Sequence, residues 1–387
     1  MLYRILEIFP GALTWSTFIA IVVLSYFYPS AVSIFFVLYT LFWLLRIIYL
    51  HFHLKHSFDF MRRNMNTDWL KRLKELKSQN SWTDIYHLVI LPMYKEPLAV
   101  VEETFRKLIE ANYPKEKIII VLATEERARE YAFGIAKEIE KKYASHFFKF
   151  LITEHPPDLP GEIAGKGSNE TWAACEAKEK IINPLKIPYE NIIASVFDVD
   201  TQAMPEYFAR LTYVFLTCEN PQHSSFQPIP LFLNNIFEAP AFSRVMSFFP
   251  TFWQMIQQSR VEQLSTFTSQ AMPFKALVEV GFWDTHSVSE DSLIFWKFYF
   301  HYNGNWRTEP LHYPVSMDAN AAPNLWKTFV NIYKQQRRWA WGAENIPYML
   351  YGFIKNKKIP FRKKMFWSFV FIEGFWSWTT SPFILLI

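Results

Sequence analysis

The first pair of residues with the spacing to do chemistry is Asp198 and Asp200. They follow the apolar run Ile192 to Phe197, which predicts a buried strand. Positions i and i+2 of an extended chain project to the same side, so the two carboxylates can share a divalent cation with diphosphate oxygens. The alternative is a common surface turn. The preceding strand aims the pair at the sheet edge and favours the cation site.

A second acidic pair, Glu290 and Asp291, precedes the apolar run Leu293 to Trp296. Acidic side chains at the start of a helix suit the helix dipole, so simple capping explains them without any chemistry. In the functional interpretation, one of the two carboxylates is a general base that takes a proton from an acceptor hydroxyl. Both interpretations stay open on this segment alone.

A third group lies near the end of the chain, where Gln335, Arg338 and Trp339 fall on one face of a predicted helix. An amide, a guanidinium and an indole together can hold a diphosphate and stack on a sugar ring. The alternative is an amphipathic helix on a membrane surface, and the two are compatible. Arg337 lies about 100° around the helix from Arg338, which favours a lipid or structural contact.

Two further segments are candidates for contact with a substrate. Residues 165–169 (GKGSN) open a predicted helix whose backbone N–H groups and Lys166 could face phosphate, although the chain has no P-loop pattern here and an ordinary capped loop is the alternative. The ring-rich stretch 228–258 could line an acceptor passage, rest on a bilayer or pack in a core.

Short apolar runs alternate with helical patterns from residue 86 to 345, which predicts an α/β fold with a mostly parallel sheet. Ligands of such sheets gather at the carboxyl ends of the strands. The predicted strands are 88–92, 117–123, 147–153 and 192–197, and the predicted helices between them are 100–111, 127–143 and 168–182.

Composition indicates a membrane protein. Aromatic residues make up 19% of the chain and mean hydropathy is near zero, so apolar residues must be concentrated locally. Residues 11–45 carry no charge, and the break at Tyr28 to Ser30 predicts two membrane helices, 11–28 and 31–50. A third run, 365–387, contains Glu373, which fits either an intramembrane carboxylate or a segment in the interface.

The resulting plan places a sheet domain between membrane segments. Basic residues flank the apolar runs, so the positive-inside rule predicts that the sheet domain is cytoplasmic and the protein a multi-pass component of the cell membrane. We also expect the natural protein to continue into further helices. The predicted divisions are a transmembrane hairpin (1–54), a basic linker (55–85), the sheet domain (86–345), an interfacial basic segment (346–364) and a transmembrane helix (365–387).

Charge and cysteine content exclude several classes of function. The net charge of +4 is small for 387 residues, and no long basic block lies in the central region, so nucleic acid is not an expected partner. Cys175 and Cys218 are far apart and lack metal-ligand spacing, so the sequence indicates neither a disulfide framework nor a zinc site.

Taken in order along the chain, these motifs resemble the membrane-integrated family 2 glycosyltransferases, the group of cellulose, chitin and hyaluronan synthases. The resemblance covers about residues 86–345. It rests on Leu91 to Glu96 (LPMYKE), Lys166, the Asp198 to Asp200 triplet, the Glu290–Asp291 pair and Gln335 to Trp339 (QQRRW). It implies a GT-A fold, inversion at the anomeric carbon, a hexosyltransferase activity and a Mg²⁺ or Mn²⁺ cofactor.

The resemblance also implies a role for each matching residue. Asp291 would be the base with Glu290 in support, and Trp339 would contact the acceptor, a glycan or glycolipid near membrane lipids. The nucleotide-sugar donor, expected to be a UDP-sugar, and its metal would be held by the remaining residues: Tyr94, Glu96, Lys166, Asp198, Gln335 and Arg338 for the donor, and Asp198 with Asp200 for the metal.

This chain departs from the family pattern at two places. Thr124, Glu125 and Glu126 stand where the family has paired aspartates that read the nucleobase, so Glu125 is the expected substitute. Only one apolar run follows the Gln335 to Trp339 segment, whereas processive synthases have several helices there. Polysaccharide synthesis, single transfer to a lipid carrier and a non-catalytic nucleotide-binding membrane protein therefore remain as alternatives.

Overall fold

The computed structural model describes residues 1–77 and 81–386. Residues 78–80 of the predicted linker and Ile387 of the last predicted segment lie outside these ranges. The helices are α1 (Leu2–Phe27), α2 (Pro29–Met65), α3 (Trp69–Glu75), α4 (Leu98–Glu110), α5 (Arg129–Tyr143), α6 (Lys166–Ala177), α7 (Tyr207–Thr217), α8 (Ala241–Gln258), α9 (Phe274–Val280), α10 (Glu290–His301), α11 (Leu325–Ala340), α12 (Asn345–Lys355) and α13 (Phe361–Ile384).

The helices α1 and α2 form a hairpin with only Tyr28 between them. Pro29 is the first residue of α2, where its missing N–H costs no helical hydrogen bond, and a proline disfavours helical geometry at the residue before it. By length and hydropathy, α1 and α2 are the helices within the described residues that could cross a membrane. The expected break at Tyr28 is confirmed, and both helices are longer than predicted.

Helix α13 packs on this hairpin through polar side chains. Thr14 and Thr379 share a hydrogen bond of 3.0 Å, and the indole of Trp376 donates to Thr17 over 2.9 Å. Near the other end of the contact, the guanidinium of Arg46 on α2 pairs with the carboxylate of Glu373. The polar residues that lower the hydropathy of α13 therefore have partners on α1 and α2.

The central sheet has the strand order β3-β2-β1-β4-β7-β6-β8-β5. The strands β3, β2, β1 and β4 run parallel, as do β6 and β8, while β7 is antiparallel to both of its neighbours and β5 is antiparallel to β8. The α/β fold class is therefore confirmed. The strands are β1 (Tyr86–Pro92), β2 (Ile118–Glu125), β3 (Lys149–His155), β4 (Ile192–Val196), β5 (Gln202–Ala203), β6 (Ser224–Leu231), β7 (Ala271–Pro273) and β8 (Arg307–Ser316).

Each face of the sheet has its own apolar core. Alternate residues of β1 point to opposite faces, so Val89 and Leu91 pack with α4, α5 and α7, while Leu88 and Ile90 pack with α6, α9 and α10. All four side chains are fully buried. Helices on both faces hold the strands in place. The carboxyl ends of β1, β2 and β4 form the floor of a cavity.

Candidate active site

A cavity of about 670 Å³ opens at the carboxyl ends of β1, β2 and β4. It lies where the parallel half of the sheet meets the antiparallel half, which is the expected place for a ligand in an open α/β sheet. The residues predicted from the sequence line it together: Tyr94, Glu96, Glu125, Lys166, Asp198, Asp200, Glu290, Asp291, Gln335, Arg338 and Trp339. Glu126 is absent from this lining and is exposed.

Lys166 is at the centre of the charged side chains. Its Nζ lies 2.8 Å from Asp198 Oδ1, 2.9 Å from Asp291 Oδ2 and 3.5 Å from Glu170 Oε1. These residues come from three elements, namely the first turn of α6, the end of β4 and the first turn of α10. We call Lys166, Glu170, Asp198, Glu290 and Asp291 the charged wall of the cavity.

The start of α6 is shaped to bring Lys166 into this position. Gly165 caps the helix with extended backbone, and Gly167 approaches the loop before α10 closely. A Cβ on Gly167 would lie 2.7 Å from the carbonyl oxygen of Asp284 and 3.0 Å from Glu290 Cβ. Any side chain at position 167 would therefore push α10, and with it the acidic pair, away from Lys166.

Burial and mutual charge shift the pKa values in the charged wall. Burial and, after it, the charge of the neighbouring Asp291 together raise the pKa of Glu290 to about 7. Burial, followed by Asp291 and Glu290, also holds the pKa of Glu170 well above its ordinary value, against the attraction of Lys166. For Asp198 burial is the largest influence and acts upward, but Lys166, Thr268 and Arg338 outweigh it and leave the pKa below its ordinary value.

In Lys166, as in Asp198, neighbouring charges outweigh the effect of burial on the pKa. Burial disfavours its charged form, yet Asp198, Asp291, Glu170 and Glu290 together hold its pKa well above the ordinary value. The ammonium is therefore charged at neutral pH. Three carboxylate oxygens, from Glu170, Glu290 and Asp291, lie within 4.8 Å of one another, and Lys166 supplies positive charge to this group.

Asp200 follows Asp198 by two residues. It lies in a turn and not on the extended backbone that the sequence suggested. Its Oδ2 accepts a hydrogen bond of 3.4 Å from the backbone N–H of Asp318, and its buried Oδ1 has no hydrogen-bond partner among the described residues. Asn234 donates to the carbonyl oxygen of Asp200 and to Asp318 Oδ1, both over 2.9 Å. Burial, Asp198 and Asp318 hold the pKa of Asp200 well above its ordinary value.

Asp291 is fixed by residues from the loop before β7. Gln270 donates through Nε2 to the backbone carbonyl of Asp291 over 3.0 Å and to its Oδ1 over 3.2 Å. Thr266 donates to the same backbone carbonyl over 2.6 Å. Since Lys166 holds Oδ2, both carboxylate oxygens have a partner and the group is held in one orientation facing the cavity.

Around Tyr94 the cavity lining combines an aromatic ring with charged groups. The guanidinium of Arg127 lies 4.6 Å from the ring centre of Tyr94 and forms an ion pair with the buried carboxylate of Glu125. Glu96 turns back and accepts a hydrogen bond of 2.7 Å from the backbone N–H of Tyr94. This arrangement offers a flat ring and a guanidinium to a planar ligand.

Helix α11 brings Gln335, Arg338 and Trp339 to the mouth of the cavity, while Arg337 is exposed and absent from the lining. Trp339 and Phe267 meet edge to face with ring centres 6.5 Å apart. Phe232, from the ring-rich stretch, also lines the cavity. We call Phe232, Phe267 and Trp339 the aromatic wall.

Four residues that line the cavity or hold its side chains were not predicted from the sequence, namely Arg127, Glu170, Gln270 and Asp318. Glu170 was detectable, because it lies one helical turn after Lys166 and so shares its face. Arg127 follows Glu125 directly, but the helical pattern placed it inside a helix, whereas α5 begins two residues later. Gln270 and Asp318 gave no local signal.

Residues 195–387, just under half of the chain, match the family model described as Glycosyl transferase family group 2. No curated protein matches the chain.

Solved structures that are similar to this chain include two complexes with nucleotide-sugars. One is the mannosyltransferase PcManGT from Pyrobaculum calidifontis in complex with GDP-Man and Mn²⁺, at 12% identity, 86% coverage of each chain and a TM-score of 0.45. Another is S. aureus TarS 1-349 in complex with UDP-GlcNAc, at 14% identity, 62% coverage of this chain, 60% of that chain and a TM-score of 0.39.

Proposed function

We propose that this protein is an inverting, metal-dependent hexosyltransferase that moves a sugar from a UDP-sugar to a glycan acceptor near the membrane, in the synthesis of a polysaccharide. One observation carries the proposal. Lys166 Nζ lies 2.8 Å from Asp198 and 2.9 Å from Asp291, so the proposed donor carboxylate and the proposed base face a single ammonium group. A leaving diphosphate and an attacking hydroxyl would meet in this space.

Asp291 is the proposed general base. Its carboxylate faces the cavity, and its orientation is fixed by Gln270 and Lys166. A base in this position takes the proton of the acceptor hydroxyl as the oxygen attacks the anomeric carbon, and the bond to the diphosphate breaks on the opposite side. One such displacement inverts the anomeric configuration. Buried Glu290 supports the base through its negative charge.

Lys166 and Arg338 are the proposed contacts for the donor diphosphate. Arg338 is exposed at the cavity mouth and its charge acts on Asp198 inside. A guanidinium and an ammonium that face the developing negative charge stabilise the transition state more than the ground state. Gln335, on the same face of α11, adds an amide donor.

The residues around Asp198 and Asp200 fit a divalent cation. Asp200 Oδ1 is buried without a hydrogen-bond partner among the described residues, and carboxylate oxygens are the ligands that Mg²⁺ and Mn²⁺ prefer. Burial, Asp198 and Asp318 raise the pKa of Asp200, and a neighbouring cation would favour its charged form. A bound cation would supply positive charge for the diphosphate. Asn234 and Asp318 orient Asp200 for this role.

The pocket at Tyr94 is the proposed site for the nucleoside. Its ring and the Arg127 guanidinium can stack on a base, and the Glu125 carboxylate can accept a hydrogen bond from a base N–H. Glu125 thereby takes the role that the resemblance gives to paired aspartates. Glu96 is the proposed partner for the ribose hydroxyls.

The acceptor is proposed to reach the aromatic wall from the membrane side. On α11, Trp339 lines the cavity while Trp326, Phe329 and Tyr333 are exposed on the outside of the same helix. On the neighbouring α8, Phe249 and other rings are also exposed. Exposed rings beside two apolar helices are typical of a protein that rests at a bilayer surface.

We place α1, α2 and α13 in the cell membrane, with the sheet domain on the cytoplasmic side. The polar face of α13 supports its inclusion, because its hydrogen bonds to α1 and α2 leave those groups satisfied inside a bilayer. The Arg46–Glu373 pair satisfies the two charges on this interface. The basic residues around both ends of the sheet domain support the cytoplasmic placement.

Replacement of Asp291 by Asn tests the proposed base. The amide keeps the shape but cannot accept a proton, so transfer should fall by about 10²–10⁴-fold while nucleotide binding changes little. Purified protein would be given UDP-, GDP- and dTDP-sugars with manganese, and released nucleotide and product size would be measured. Asp84→Asn, an exposed change outside the cavity, is the matched control.

Three outcomes separate the alternatives. Transfer by Asp291→Asn at the wild-type rate would remove the assignment of the base. A product with a single added sugar on a lipid would replace polysaccharide synthesis by transfer to a lipid carrier. Absence of sugar-dependent nucleotide release with every donor would favour a non-catalytic nucleotide-binding protein.

A further inference from the structure

A second concave site lies outside the cavity, between the end of α10 and the end of α12. It is a groove of about 600 Å³, with Phe300 and Asn303 on one side and residues 348–358 on the other. Three lysines line it, Lys355, Lys357 and Lys358, and no acidic residue is among its lining, which lies wholly within the described part of the chain. The groove therefore presents positive charge with no internal counter-charge.

The floor of the groove is preformed. Phe300 lies so close to Gly352 that a Cβ there would be 2.2 Å from the ring, so only glycine lets α12 and α10 approach this far. Asn356 then fixes the turn after α12, because its side chain donates to Asn303 Oδ1 over 3.1 Å and accepts from the backbone N–H of Lys358 over 2.9 Å. The lysines are thus carried on an ordered turn.

The basic residues of this segment fall into two groups. Lys363 donates to the carbonyl oxygen of Gly304 over 2.9 Å, and Lys364 donates to those of Phe353 and Asn356, each over 2.6 Å. These two lysines are used to hold the fold together. Lys355, Lys357 and Lys358 are exposed, so their charges are available to a ligand.

The groove lies at the membrane end of the sheet domain. Tyr351 in its wall meets Tyr3 at the start of α1 edge to face, with ring centres 5.3 Å apart. Helix α13 begins just beyond the groove, and Phe361, Met365 and Phe369, four residues apart on one face, are exposed by 76%, 53% and 69%. Positive charge is therefore followed directly by an apolar stripe that runs along the proposed membrane helix.

We propose that this groove binds the headgroup of an anionic phospholipid, with the acyl chains along the Phe361–Met365–Phe369 stripe. The arrangement matches such a lipid, because the phosphate would contact the three lysines of the groove. The acyl chains would contact the exposed apolar side chains of the stripe on α13. This proposal rests on the membrane placement given above but not on the transfer reaction. The proposal implies that the protein binds anionic lipids in preference to neutral lipids at this groove.

Full-length protein in detergent would be titrated with phosphatidylglycerol or phosphatidylcholine, and bound lipid would be counted by native mass spectrometry. Each lysine near an anionic headgroup contributes about fivefold in affinity, so Lys355→Gln, Lys357→Gln and Lys358→Gln together should weaken phosphatidylglycerol binding by on the order of 100-fold. The corresponding triple change to Arg should keep the binding. Lys137→Gln, Lys141→Gln and Lys186→Gln, which remove the same charge from exposed positions outside the groove, are the matched control.

Equal phosphatidylglycerol binding by wild type and the triple Gln variant would overturn the proposal. Complete displacement of the lipid by millimolar inorganic phosphate would also overturn it, in favour of a site for free phosphate. Carbonate extraction of the protein from membranes separates this proposal from its premise. Extraction of the wild type would contradict the membrane placement, whereas retention without any headgroup preference would contradict the lipid site alone.

Discussion

The charged wall and the aromatic wall line one cavity, but they are built differently. In the charged wall, Lys166 contacts Asp198 and Asp291 within 3 Å, so each position depends on the others. In the aromatic wall, Trp339 and Phe267 share one edge contact with ring centres 6.5 Å apart. Coupled charges fix the groups around them in one geometry, whereas rings in loose contact can adapt to ligands of different shape.

If this contrast is correct, removal of the central cation should have the largest effect. Lys166→Met leaves Asp198, Asp291 and Glu170 close together without a counter-charge. Breaking a fully buried ion pair typically costs about 3–5 kcal/mol, which is an upper bound for these partly exposed side chains. Transfer should fall by about 10³-fold or more, with a lower melting temperature, as measured by nucleotide release and a thermal melt.

The control for this change is Lys137→Met. Lys137 pairs with Glu140 on the surface of α5, where both side chains are largely solvated and such a pair contributes at most about 1 kcal/mol. Transfer by Lys166→Met within tenfold of the control would contradict the dependence of the charged wall on one cation.

The two walls also differ in how far the sequence predicts them. Lys166, Asp198 and Asp291 each lie beside a clear local pattern, a glycine-rich helix start, a buried strand or an apolar helix. What no local pattern states is that Lys166 and Asp291, 125 residues apart, form an ion pair. Helical spacing places Glu170 on the face of Lys166, but it does not state that both side chains lie beside Asp291.

The sheet shows the same limit. The four parallel strands β1 to β4 were predicted within about two residues, because buried strands are continuous apolar runs. The other half was not predicted, since β5 has two residues and β7 three, which is too short for a period of two to appear. The pairing of β6 with β8 is also interrupted between Gln227 and Ile229, so alternation along these strands is broken.

Glu290 allows a test of the charged wall through stability. Its pKa is raised by burial to about 7, above the ordinary value of 4.5 that applies in the unfolded chain. The folded state therefore binds this proton more tightly, and stability is lost as pH rises from about 4.5 to 7. One pKa unit corresponds to about 1.4 kcal/mol, so the loss amounts to roughly 3 kcal/mol at most.

Glu290→Gln cannot titrate, so this part of the pH dependence should vanish. Melting temperatures between pH 5 and 8 should fall less in the variant than in wild type. Glu262→Gln, at an exposed position outside the cavity, should keep the wild-type slope. Parallel curves for wild type and Glu290→Gln would mean that Glu290 is not buried beside Asp291 in solution.

A smaller effect is expected from Gln270, which orients Asp291 without carrying charge. Gln270→Leu removes the hydrogen bonds to the Asp291 backbone carbonyl and to Oδ1, and loss of such a bond to a charged group costs about 1.5–3 kcal/mol. We expect kcat to fall by about 10–100-fold with little change in the donor KM, because the base is misplaced and the donor contacts remain. Gln222→Leu, a change remote from the cavity, is the control. A rise in donor KM at constant kcat would instead place Gln270 in donor binding.

The smallest effect on transfer is expected from a change in the aromatic wall. The informative result is which KM changes, that of the acceptor or that of the donor. Trp339→Ala removes one stacking surface, and stacking on an aromatic ring contributes about 0.5–1.5 kcal/mol beyond area burial, so the acceptor KM should rise by up to about tenfold. The donor KM should stay constant, since Lys166 and Asp198 are untouched. Trp341→Ala, an exposed tryptophan just after α11 that does not line the cavity, should change neither constant. Equal changes in donor and acceptor KM would show that the two walls act as one unit and would remove the contrast between them.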